Sequence, residues 1–145
     1  MPKEYVGTIT LGDTVDITDP CYSKSVCCRM TTDCCPGVYK GYIEREEIED
    51  WGIRVTTLSI FLGDKIWELE ELEPIGTIGV DAGLAGFFNN KRDFSDKEWS
   101  ELCSKISEGD ALVMYDGIFS SSGFGDGMYE VFANEERSAF TILFI

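Results

Sequence analysis

The stretch Arg54-Val55-Thr56-Thr57-Leu58-Ser59-Ile60-Phe61-Leu62 decides the fold class. It is the clearest strand in the chain, with Val55, Thr57, Ser59 and Phe61 on one face and Leu58, Ile60 and Leu62 on the other. Gly63-Asp64 closes it with a turn. Upstream, Pro36-Gly37 turns the chain into residues 38–44, which alternate again and predict a second strand. Between the two, residues 44–50 carry five acids and one Arg before Trp51-Gly52 resets the pattern.

Farther out, residues 5–11 and 14–18 are rich in Val, Ile and Thr and read as two strands about a tight turn at Gly12-Asp13. Asp19-Pro20 ends the second, because Pro lacks an N–H and restricts the residue before it. Residues 21–36 read as an irregular, Cys-rich connection whose length points to function or mobility. Residues 66–72 read as a strand plus turn closed by Pro74, and residues 77–81 as a short buried strand broken at Gly83 and Gly86. Phe87-Phe88 resumes apolar packing before a turn at Asn89-Asn90. Residues 111–115, 128–133 and 139–145 are further strands, the last two joined at Asn134-Glu135-Glu136-Arg137. Residues 116–127 read as a polar loop.

One main helix is predicted at about residues 95–108. Ser95 and Glu98 form a capping box, and Trp99, Leu102, Cys103 and Ile106 make one apolar stripe that ends at Gly109. Trp99 and Cys103 are therefore expected in the core. The whole predicts a mostly-β, α+β single domain over residues 1–145, with short antiparallel strands in a sandwich or barrel.

Composition narrows the function. The 145 residues suit one domain, and a 43% hydrophobic share suits a real core. No run of about 18 apolar residues predicts a membrane helix. Residues 1–5 lack a secretory pattern, so a soluble cytoplasmic protein is expected. With 27 acidic and 12 basic residues the formal charge is -15, which argues against non-specific nucleic-acid binding and against anionic membranes. The charge reads either as solubility or as an acidic surface that docks on a basic partner or mimics nucleic acid. There is no histidine, which excludes Ser-His-Asp and Cys-His catalysis and any imidazole base.

Five of the six cysteines, Cys21, Cys27, Cys28, Cys34 and Cys35, fall within fifteen residues. Free thiols, a metal site and disulfides all remain open readings. The five-residue gaps inside the cluster depart from the two-to-four spacing usual for structural zinc.

Two glycine-and-aspartate signatures stand out, Val80-Asp81-Ala82-Gly83-Leu84-Ala85-Gly86-Phe87-Phe88 and Gly123-Phe124-Gly125-Asp126-Gly127-Met128-Tyr129-Glu130-Val131. Each sets one carboxylate among glycines beside an apolar strand, a backbone shaped for close approach. Together with Asp19-Pro20-Cys21 and Pro36-Gly37-Val38-Tyr39, in that order, they resemble a family of bacterial and phage proteins that share a domain of unknown function. The resemblance spreads over most of the chain and implies a β-rich fold. It implies no agreed activity, but phage membership suggests an anti-defence role in a bacterial or phage-infected cell. The Cys pairs are not part of that pattern.

Asp81 and Asp126 are the leading site candidates, with Asp19 and Asp116 as weaker additions to the same cleft. If the closing strands lie beside residues 77–81, both leading carboxylates reach one cleft, where they would suit acid-base work or a hard cation such as Mg2+ or Ca2+. Aspartates of this kind also cap turns through nearby backbone donors. Gly83 supplies close approach, and Phe124 and Tyr129 would stack on a planar ligand or pack in the core. Trp51 is a further contact candidate, and Arg54, Lys91 and Arg92 are the cations nearest the signatures for any anionic ligand. Residues 116–127 lack the acids an EF-hand needs, and Ser120-Ser121-Ser122-Gly123 lacks the Walker lysine, so it reads as a surface loop able to act as a lid.

The leading expectation is a non-catalytic binding or interaction module built around Asp81 and Asp126. Its partner would be a protein or a small molecule, and exposed strand edges allow a homo-oligomer. The alternatives are a phage-type anti-defence protein that sequesters a small nucleotide or masks a host protein, a small carboxylate- or metal-dependent hydrolase, and a metal module at the Cys cluster. The acidic runs 44–50 and 68–73 read as solvated faces that, placed together, would dock on a basic partner.

Overall fold

The computed structural model describes residues 3–20, 29–81, 83–89 and 94–145. Its elements are β1 (Glu4–Leu11), β2 (Thr14–Thr18), β3 (Met30–Asp33), β4 (Gly37–Ile48), β5 (Gly52–Leu62), β6 (Glu73–Val80), β7 (Leu84–Asn89), α1 (Asp96–Gly109), β8 (Ala111–Met114), β9 (Gly117–Ser121), β10 (Gly127–Ala133) and β11 (Ala139–Leu143). The strands form a six-stranded sheet, β1-β4-β5-β11-β10-β6, and a five-stranded sheet, β3-β2-β7-β9-β8. Every pairing is antiparallel. The mostly-β, sandwich-like expectation holds.

The main core lies between the sheets. Tyr39, Leu58, Ile60, Val131, Phe140 and Ile142 from the larger sheet meet Val15, Ile17, Ala85, Phe87 and Ile118 from the smaller. Fully burying each of the larger aliphatic or aromatic chains contributes about 1.5–3 kcal/mol, so this layer carries most of the stability. On the far side of the smaller sheet, α1 buries Leu102 and Ile106 against Leu84, Phe88 and Phe119. Its start is fixed as expected: Glu98 N donates to Ser95 Oγ at 3.2 Å, and Ser95 N donates to Glu98 Oε1 at 3.1 Å. Such a cap contributes about 1 kcal/mol. Cys103 is only partly buried on this stripe, and Trp99 is also partly exposed rather than in the core. The helix passes through Gly109, and the left-handed residue that ends it is Asp110, with φ 69°.

Several local expectations are corrected. Gly12-Asp13 does not close a hairpin, because β1 pairs with β4 while β2 pairs with β3 and β7 in the other sheet. The chain changes sheets there. The connection 21–36 contains β3, and Asp16 and Thr31, which face each other on β2 and β3, share a hydrogen bond of 2.6 Å. Asp16 also accepts from Arg29 Nε at 2.9 Å and forms an ion pair with its Nη2, and both side chains are buried. Arg29 lies over the Phe88 ring. β4 runs through most of the acidic stretch rather than ending at 44, so the acids belong to a long β4–β5 hairpin.

The face assignment of β5 also shifts. Glu44 pairs with Thr57 and Arg45 with Val55, so Thr56 is an extra residue in the ladder. Val55 thereby joins Leu58 and Ile60 in the main core, while Phe61 lies on the opposite face, buried in a separate cluster. Residues 66–72 are not a strand. They form an irregular segment ending in a 3-10 turn, Leu69–Glu71, and pack Trp67 and Leu72 over Phe61 and Ala139. Pro74 lies inside β6, which is an edge strand and so does not need its missing N–H. Residues 116–127 are not all loop, since β9 is a buried strand between β7 and β8.

Candidate functional site

β6 and β10 pair side by side, and the last rung joins Val80 to Gly127. Asp81 and Asp126 therefore stand one residue past the same rung, and both are exposed to solvent. Asp19 is fully buried beside them at the end of β2, and its Oδ2 accepts the Asp81 N–H at 2.9 Å. Asp19 thus ties the end of β6 to the end of β2. Asp116 is elsewhere. It occupies the β8–β9 turn with φ 60°, at the far end of β9 from Ser121, which pairs with Leu84. It does not share a cleft with Asp81. Among the described residues, no group of three or more Asp, Glu, Cys or His is placed to hold a metal ion.

The second signature is bound to the rest of the molecule chiefly through its backbone. Ser122 N donates to Gly83 O at 3.0 Å, and Ser122 Oγ donates to Gly125 O at 2.6 Å. Tyr129 Oη donates to the same Gly125 carbonyl at 2.8 Å. Arg54 Nη1 donates to Gly123 O at 3.2 Å, and Arg54 Nε to Trp51 O at 2.8 Å. A Cβ on Gly123 would lie 2.2 Å from Val55 O, and its φ is +67°, so only glycine fits. Ser120 and Ser122 are buried, which corrects the reading of 120–123 as a surface loop.

The two signatures meet at a groove of about 190 Å3 lined by Ile53, Arg54, Val55, Gly83, Asp110, Ser121, Gly123 and Gly125. Asp81 and Asp126 are not among these residues. Above it, the Trp51 and Phe124 rings meet edge to face at 5.3 Å, and Trp51 is half exposed. Tyr129 turns inward instead, packs against Phe144 at 5.4 Å, and is buried; that burial pushes its phenol above the usual value. Lys91 and Arg92 lie outside the described residues, as do Cys21, Cys27 and Cys28.

Cys34, Cys35 and Cys103 are free thiols. Cys34 is buried, donates to Gly12 O at 3.2 Å, and is pushed up to about 11 by that burial. Burial also raises Cys103. Both therefore stay protonated near neutral pH and lack the thiolate character of a reactive cysteine.

The acidic runs come together. Glu44 and Glu46 on β4 and Glu68 and Glu70 before β6 line one groove of about 250 Å3, with Thr56, Thr57, Leu69, Leu143 and Ile145. Lys3 bridges the runs, with Nζ 3.0 Å from Glu44 and 3.4 Å from Glu68. Thr57 Oγ1 adds a bond to Glu44 at 2.9 Å. The same β4–β5 ribbon ends in the exposed apolar residues Trp51 and Ile53. The period-2 spacing of Glu44 and Glu46 was the available signal for a shared face. Their partners, some two dozen residues away, had none.

Comparison with protein-family models, curated proteins and solved structures finds no match for this chain. Among the described residues, no helix is long and apolar enough to cross a membrane.

Proposed function

We propose that this protein is a non-catalytic interaction module that docks a basic, partly apolar segment of a partner protein. The convergence of Glu44, Glu46, Glu68 and Glu70 around one groove carries the reading. Leu69, Leu143 and Ile145 in the same groove give an apolar anchor a place to bury. The formal charge of -15 steers a cationic partner toward the protein.

Two other readings fit less well. A hydrolase would use Asp81 and Asp126, yet both stay hydrated at an open strand end, while carboxylate catalysts draw on burial or a close partner. Sequestration of a nucleotide requires cations, and in the groove where the two signatures meet Arg54 already donates to the Trp51 and Gly123 carbonyls. The masking form of an anti-defence role is the same docking act on a host protein, and the acidic groove supports it equally.

The test uses a fluorescein-labelled peptide of alternating Lys and Leu. The protein should bind it saturably, with an affinity that falls as salt rises, and Glu46→Gln with Glu70→Gln should weaken binding roughly tenfold. No binding, or binding indifferent to salt and to both substitutions, would contradict the proposal.

A further inference from the structure

A third hollow, of about 430 Å3, lies at the loop between β10 and β11, the end of β10 opposite Asp126. Its size falls in the range of about 300–1,000 Å3 usual for small-molecule sites. Arg137 is its cation. The residue is held at φ 58°, with its N–H on Asn134 O at 3.2 Å and its carbonyl accepting from Cys35 N at 3.0 Å and Tyr39 Oη at 3.2 Å. The backbone is thus fixed from several sides; the side chain is partly buried, and its Nη1 atom is enclosed with no hydrogen-bond partner. In a chain of charge -15, with Glu135 and Glu136 next to it in sequence, an unanswered guanidinium N–H is unusual and costly.

We propose that this cavity is a binding site for a small zwitterion of the α-amino-acid class. The ligand carboxylate meets the Arg137 guanidinium, which lines the cavity, although Nη1 itself is closed off from solvent. Glu73 and Glu135 line the same cavity and face the ligand ammonium. A bare anion would be repelled by those two carboxylates, and a bare cation by Arg137. Pro74, Ile75 and Ala133 leave an apolar wall for a short aliphatic side chain.

Calorimetric titration with L-alanine, L-valine, N-acetyl-L-valine and L-valinamide tests this. One or both free amino acids should bind saturably, with each blocked form at least roughly tenfold weaker. Arg137→Asn removes the guanidinium while Asn tolerates the left-handed backbone, so it should keep the fold and lose at least about tenfold in affinity. Should that variant melt early, Glu73→Gln reads the same site from its exposed side, and should weaken free valine but not N-acetyl-L-valine. No saturable binding of either amino acid, equal binding of the blocked forms, or binding unchanged by both substitutions would overturn the proposal.

Discussion

The glycine signatures and the acidic runs place their polar groups in opposite ways. At the signature end, Arg54, Ser122 and Tyr129 each bond a carbonyl of the 123–125 segment, and buried Asp19 takes the Asp81 N–H. At the acidic groove, Glu44 is bonded to Lys3 and Thr57, but Glu46 and Glu70 line open space beside apolar Leu143 and Ile145. Groups answered within the chain hold shape, and groups turned toward a groove are free to meet a partner. The signatures attract the eye because their glycines are needed for backbone contact. The runs look bland because their meeting depends on the tertiary fold.

Breaking the first region should have the largest effects. Gly123→Ala drives a Cβ into Val55 O from a left-handed backbone and should cost about 3 kcal/mol in urea unfolding. Gly125→Ala, also at positive φ but with nothing near its Cβ, should cost only about 1 kcal/mol. Equal losses would remove the claim that close contact, rather than φ alone, selects Gly123. Next, Asp19→Ala leaves the Asp81 N–H unanswered beside a buried gap and should cost about 2 kcal/mol.

An alkaline titration sharpens the buried side further. Unfolded Cys34 loses its proton near 9.0, but in the folded protein burial holds it to about 11. Between those values the native state binds more protons, so stability must fall as pH rises, by about 2 kcal/mol. Burial of Tyr39 acts in the same direction. Chemical denaturation at pH 8.5 and 10.5 measures the loss, and Cys34→Ala should shrink it. A smaller step follows at Tyr129→Phe, which removes the bond to Gly125 O for about 1 kcal/mol. The groove pair Glu46→Gln with Glu70→Gln should change stability least, within about 0.5 kcal/mol.

Where the sequence was legible, short-range physics decided the outcome. The strand over Arg54–Leu62, the capping box at Ser95 and the turn between 133 and 139 all survive. Long-range pairing was not legible. Nothing in Gly12-Asp13 distinguishes a hairpin turn from a crossing between sheets, and the extra residue Thr56 moves Val55 to the other face without a local mark. β9 was hidden because its Gly, Ser and Phe composition suits a loop until Ile118 and Phe119 are given sheets to fill. At the site, the pairing of the two signatures stood in the sequence only as a condition, and like Arg29 facing Asp16 and the meeting of Glu46 with Glu70 it required the fold.

The most direct test is a heteronuclear NMR titration of the isotope-labelled protein with the Lys-Leu peptide. The account predicts that shift changes concentrate at Glu44, Glu46, Glu68, Glu70 and Leu143, with the signature end nearly still. Changes centred on Gly83, Phe124 and Asp126 instead would contradict it and return recognition to the glycine signatures.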